Sequence, residues 1–207
     1  MLKVIAMFVL LSSPAYAMSV AYQGSFGLMS SNQPKMGQWI LNYSVTPWLA
    51  PAAQAFRLET SSGHRELYFP QVGVLAHRWN NTDSQANIYL DAGYGADKMH
   101  DRTTGALNTE AQIDWESRRY YGDVELQAVR LTRNEPYNFG RFRVGAAPYL
   151  AEFDQLQSWF ILQFERNSAM SSETTVTPLI RMFYQNVLVE IGSSLKGEFN
   201  FNFMIHI

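Results

Sequence analysis

From Val20 to Ile207, apolar side chains recur at every second position over most of the chain. Trp39, Leu41, Tyr43 and Val45 alternate with Gln38, Ile40, Asn42 and Ser44. Ala86, Ile88, Leu90, Ala92 and Tyr94 alternate with Gln85, Asn87, Asp91, Gly93 and Gly95, and Phe142, Val144 and Ala146 with Arg141, Arg143 and Gly145. A period of two puts one residue class on each face of a strand. No segment offers an apolar stripe at helical spacing with caps at its ends.

Twelve such segments begin near Ser19, Gln38, Ala52, Leu67, Gln85, Ala111, Val124, Arg141, Gln157, Thr175, Val187 and Glu198. That allows about 16 residues for each strand with its connection, enough for a strand that crosses a bilayer. Charged residues are only 16% of the 207, against about 25% in ordinary soluble domains. The formal net charge of −2 leaves no basic footprint for nucleic acid. The absence of cysteine excludes a disulfide scaffold, a thiolate metal site and a cysteine nucleophile.

The connections alternate in character. Gly122-Asp123 and Gln185-Asn186 read as two-residue turns, and Trp48–Ala50 and Asn80–Ser84 as compact connections. The other set reads as longer: 30–35, 60–66, 96–110, 132–140 and 167–173, with 96–110 the longest. Aromatics cluster beside the short set: Trp48, Trp79, Tyr120, Tyr121, Tyr149, Phe153 and Tyr184. Such amphipathic rings favour a lipid–water boundary. Lys35, Lys98 and Lys196 all fall on the opposite side. Arg78 and Arg119 sit at turn ends, where a long side chain can snorkel. Arg130 falls on the apolar face, which calls for a shift or bulge in its strand. A soluble barrel or sandwich would show the same alternation with its apolar face inward. The aromatic girdle and the asymmetry of the connections favour the membrane. The expected fold class is all-β: a closed antiparallel up-and-down transmembrane β-barrel of about 12 strands, with 10 as the alternative count.

Residues 1–17 read as a cleaved export signal. Lys3 supplies the positive start, Val4–Leu11 the apolar stretch, and Ala15-x-Ala17 a small-residue cleavage site. Eight apolar residues are too few for a membrane-spanning helix, which needs about 20. The barrel then occupies 18–207, and the expected location is the cell outer membrane of a Gram-negative envelope, as a monomer.

In the last segment, Phe199, Phe201, Phe203, Ile205 and Ile207 hold every second position. With this strand and its export signal, the whole chain resembles bacterial outer-membrane β-barrel proteins. In that class the last strand is read by the barrel-insertion machinery and usually ends in Phe or Trp; here it ends in Ile207. Size and strand count are similar to small monomeric porins that pass acidic oligosaccharides, but no motif carries that substrate over. The partners this implies are outer-membrane lipid, the insertion machinery through the C-terminal strand, and a small polar solute.

The polar face, expected to line a lumen, carries Arg57, Arg118, Arg141, Arg143 and Arg181, and Glu59, Asp91, Asp114, Glu116, Glu125, Glu165, Glu190 and Glu198. Two readings follow. Charge lining a water-filled bore would pass or bind a small polar solute. Opposite charges pairing across it, with Tyr89, Trp159 and Phe183 on the same face, would plug it. The segment 96–110 could serve in recognition or simply be a solvated loop. A third class is an outer-membrane lipid hydrolase, needing a serine, a histidine and an orienting group. Of His64, His77, His100 and His206, none has a well-placed serine, so no enzyme is expected. The histidines show no ligand spacing and the methionines are scattered, so neither a metal nor a cofactor is expected.

Overall fold

The computed structural model describes residues 20–60, 63–132, 136–152, 154–170 and 173–207. The expected export signal at 1–17 and Phe153 of the expected girdle lie outside them. Twelve strands follow one another: β1 (Phe26–Gln33), β2 (Met36–Tyr43), β3 (Leu49–Thr60), β4 (Gly63–Asn80), β5 (Ser84–Met99), β6 (Arg102–Ser117), β7 (Tyr120–Leu131), β8 (Tyr137–Ala146), β9 (Gln157–Asn167), β10 (Thr175–Tyr184), β11 (Val187–Ser193) and β12 (Phe199–His206). Each pairs antiparallel with its neighbours in sequence, and β1 pairs with β12 to close the barrel. At that seam Gly27–Asn32 lie opposite Phe201–His206. The described residues contain no helix.

Alternation sets the two faces of the wall. Leu126 and Phe160 are 60% and 61% exposed, and Leu41, Leu90, Ile113 and Ile180 also point outward. Their strand neighbours Asn42, Asp91, Asp114 and Arg181 are buried inside. The C-terminal strand turns Phe199, Phe201, Phe203 and Ile205 to the outer wall, with Asn200, Asn202, Met204 and His206 inward. An apolar outside with a polar inside is the arrangement of a barrel of the outer-membrane type.

Several expected connections are corrected. Gly122-Asp123 is not a turn but part of β7; the turn is Arg118–Arg119. Ser117 Oγ accepts the backbone N–H groups of Arg119 and Tyr120 there, at 3.3 and 2.9 Å. Asp123 is held in the strand, its carboxylate taken by Arg143 opposite. Nor is 96–110 a long loop. β5 and β6 continue as one hairpin and turn at His100–Asp101, where His100 takes φ 54°. The polar residues that suggested a loop are wall positions beyond the lipid zone. The asymmetry of the barrel therefore lies in strand length. β4, β5 and β6 run 18, 16 and 16 residues, against 8 for β1, β2 and β12. The connection 147–156, on the side expected to be short, spans ten residues between β8 and β9. Gln185–Asn186 does form a tight turn, with φ 53° at Gln185.

The irregularity in the ladder lies not in Arg130's strand but in β4, between Leu75 and His77. Ala76 is the extra residue of this bulge. Leu75 lies opposite Tyr89, yet Arg78 lies opposite Asn87, so the alternation slips by one. Trp79 thereby reaches the outer surface, and Arg78, expected to snorkel outward, turns inward. Arg130 points outward in an unbroken β7, one residue from its upper end. Deleting Ala76 removes the extra residue while keeping Arg78 inward and Trp79 outward. That variant is expected to fold, with heat-modifiable migration on electrophoresis like the parent; loss of the folded band would contradict this register.

Candidate functional site in the lumen

Register places opposite charges side by side on the inner wall. Asp123 lies opposite Arg143, Glu125 opposite Arg141, Arg141 opposite Glu165, and Arg181 opposite Glu190. Opposite-charge pairs at such positions stabilise a sheet locally. Arg143 Nε donates to Asp123 Oδ1 at 2.7 Å, and Arg143 Nη1 lies 3.5 Å from Glu190 Oε2. The second contact joins β8 to β11, which are separated in the wall by two strands, so it spans the lumen.

Glu190 is the hub. It accepts from Arg181 Nε at 2.6 Å and from Asn202 Nδ2 at 2.7 Å. Asn202 in turn accepts from Ser31 Oγ at 2.8 Å, and Asp123 accepts from Gln112 Nε2 at 2.7 Å. Polar contacts thus run from β6 through the lumen to β1. The ring of Tyr121 lies beneath both guanidiniums, 4.3 Å from Arg181 and 5.6 Å from Arg143. An aromatic face stabilises a desolvated cation in such a position. Arg141 pairs with Glu125 and also lies 5.9 Å from the Phe139 ring. Nearer the short-turn end, Arg78 donates to Asn87, which donates to Asp114, both at 2.7 Å. Gln33 on β1 reaches Glu165 on β9 at 3.0 Å.

Apolar side chains close in above and below this layer. Toward the long-strand end, Phe56, Leu58, Leu67, Phe69, Val129, Tyr137 and Phe139 form one buried cluster. Toward the other end, Tyr89, Tyr121, Trp159, Ile161 and Leu179 form a second, into which Val20 from the N-terminal arm packs. Between them lies a chamber within the barrel. Asp91, Glu110 and Glu125 line it, as do Arg141, Arg143 and Arg181.

Asp91, Asp114, Glu116, Arg141, Arg143, Glu165, Arg181 and Glu190 thus lie on the inner wall, as does Glu125. The other expected lumen residues do not. Arg57 and Glu59 face outward, because β3 turns Gln54, Phe56 and Leu58 inward. Arg118 is in the turn, 3.6 Å from Glu152. Glu198 is in the connection before β12, 3.8 Å from Lys35. Among the girdle residues, Trp48, Trp79, Tyr120, Tyr149 and Tyr184 are exposed, but Tyr121 is buried inside under the arginines. Asp123 and Arg78 belong to the lumen although sequence reasoning gave them other places, and so does Gln112, which it did not single out. Asp123 shares the parity of Glu125, the signal that could have found it; Arg78 is hidden by the bulge.

Among the described residues, no histidine ring hydrogen-bonds to a serine. His77 faces outward with its ring 4.1 Å from Trp79. His64 lies beyond the lipid zone: a strand crosses in about 9–11 residues, and His64 is fifteen residues up β4 from Trp79. Its Nδ1 is 2.9 Å from Glu59 Oε1 and its Nε2 is 3.5 Å from Glu66 Oε1. The Glu59 hydrogen bond, helped by Glu66, raises the imidazole pKa above its ordinary value of 6.5. A raised folded-state pKa means that the pairing stabilises the hairpin tip fully below pH 6.5 and is lost as pH climbs through the folded value. An NMR titration is expected to place His64 above 6.5, and Glu59→Gln to lower it; an unchanged value in that variant would contradict the pairing.

Removing the hub has a different cost. Glu190→Gln leaves two buried guanidiniums without their shared counter-charge, which costs on the order of 3–5 kcal/mol. Urea titration of the folded band is expected to show that loss, and an unchanged midpoint would refute the hub role.

No protein-family model matches the chain, and no curated protein matches it. Among solved structures it is similar to a KdgM porin, with TM-score 0.48 and 6% identity, covering 88% of this chain and 97% of that one. It is also similar to a KdgM porin in complex with disordered oligogalacturonate, with TM-score 0.48 and 7% identity over the same shares. OmpT, an outer membrane protein of Vibrio cholerae, matches with TM-score 0.32 and 9% identity, covering 94% and 99%. What the lumen does follows from its own residues. With a closed antiparallel wall, an apolar outer face and a charged interior, this chain has the architecture of a bacterial outer-membrane β-barrel.

Proposed function

We propose that this chain is a non-enzymatic barrel of the outer membrane, whose lumen binds a small polar solute in the charged chamber and does not form a free passage. One observation carries this reading. Asp114, Asp123, Arg143, Arg181 and Glu190 are each only 1–2% exposed. The lining of a water-filled pore is wetted, whereas four of these side chains form one ionic network and Asp114 is held by Asn87. Contacts across the lumen and apolar clusters on both sides of the chamber support the same conclusion. The solute class is set by the walls: carboxylates on β5, β6, β7 and β11 line the chamber together with guanidiniums on β8 and β10. That suits a small solute bearing both charges, since a guanidinium takes a carboxylate and a carboxylate an ammonium.

Planar-bilayer recording on the refolded protein is expected to show no sustained conductance of the kind a water-filled pore gives. Steady ohmic current at moderate salt would overturn the closed-lumen reading. Calorimetry with small zwitterions is expected to give saturable heat that Arg143→Gln reduces at least tenfold; no heat with any of them would remove solute binding and leave a structural barrel.

A further inference from the structure

The outer wall carries a feature that the lumen does not explain. Arg130 on β7 and Arg166 on β9 both face outward and are exposed. Among the described residues, neither makes a hydrogen bond or an ion pair. Among the described residues of this end, Glu59 and Glu66 pair with His64, Glu173 with Lys196, and Glu198 with Lys35. Arg130 lies ten residues along β7 from Tyr120, and Arg166 nine along β9 from Gln157. A tilted strand crosses the apolar core in about 9–11 residues. Both guanidiniums therefore reach the level of the lipid headgroups on the long-strand side.

The wall beneath them is shaped. Gly140 on β8 lies in register between Leu126 and Arg166. A Cβ added there would have Leu126 Cδ2 as its near neighbour, at 3.6 Å, so the surface at Gly140 is a notch. Two residues further along, Phe142 and Phe164 stack with ring centroids 6.0 Å apart. Leu107 stands beside Arg130 and is exposed. Two exposed cations thus stand above an apolar notch with an aromatic floor.

Resting on the membrane reading above, we propose that the face of β7, β8 and β9 is a binding site for a lipid of the leaflet on the long-strand side whose headgroup is an anionic phosphomonoester. Arg166, in register with Gly140, takes its phosphate oxygens, Arg130 adds positive charge from β7, and an acyl chain lies in the notch at Gly140 against Phe142 and Phe164. Guanidinium is the side chain best matched to phosphate, because its planar donors meet two oxygens at once. The apolar notch selects a lipid over a free anion.

Native mass spectrometry of the refolded full-length protein tests this, with phosphatidic acid and phosphatidylcholine as probes. Phosphatidic acid is expected to bind at least tenfold tighter, and excess inorganic phosphate not to displace it. Arg130→Gln with Arg166→Gln is expected to remove that preference. Gly140→Leu is expected to weaken phosphatidic acid with both arginines intact. Equal binding of the two lipids by the parent protein overturns the proposal without recourse to any variant. Displacement by inorganic phosphate also overturns it, leaving a free-anion site. A protein that fails to insert into vesicles removes the membrane reading itself; one that inserts without lipid preference removes only the lipid site.

Discussion

A backbone amide that faces hydrocarbon has nothing to bond to except another part of the same protein. The outer surface here is apolar across the lipid zone, so every strand needs a partner on both sides. Closure of β1 on β12 supplies the last one. Much else follows from that requirement. A closed wall of alternating residues must send its polar half inward, and twelve strands enclose more space than small side chains can fill. Large, charged and aromatic residues occupy that space together, and they are stable there only in combination.

The interior is organised as layers. Two apolar clusters lie on either side of an ionic one, and within the ionic layer carboxylates and guanidiniums are matched by strand register before any contact across the lumen. Tyr121 contributes an aromatic face where two arginines converge on one carboxylate. A buried ion pair seldom improves on well-packed apolar side chains in stability, though losing one partner is costly. Keeping one therefore suggests a use for the charge, and the chamber beside it is where that use would lie.

Strand number and the starts of β9 to β11 were legible because alternation is strong wherever one face meets lipid. Many inner-wall charges of β5 to β11 were legible for the same reason, though Asp97, Glu110 and Asp123 were not. Legibility fails where the two faces stop differing. Beyond the lipid zone both sides of a strand meet water, so Arg57 and Glu59 gave no clue to their phase, and the extension of β5 and β6 read as a loop. It also fails where one residue breaks the count: the bulge at Ala76 reverses the faces of Arg78 and Trp79. Tyr121 was misplaced for a chemical reason, since a ring suited to the lipid boundary suits a pair of buried guanidiniums equally well.

The seam joins the two ends of the described chain. Residues 27–32 lie opposite residues 201–206, so this ladder closes the longest possible circuit of backbone. The other eleven ladders link neighbours in sequence and can form by local pairing. The last must wait for the whole wall, and until it forms both edge strands expose a row of unpaired amides and carbonyls. Those two edges attract each other and anything else with a free strand. Assembly of this chain is therefore a race between its own closure and pairing with a stranger, and a chaperone that covers one short edge strand would decide it.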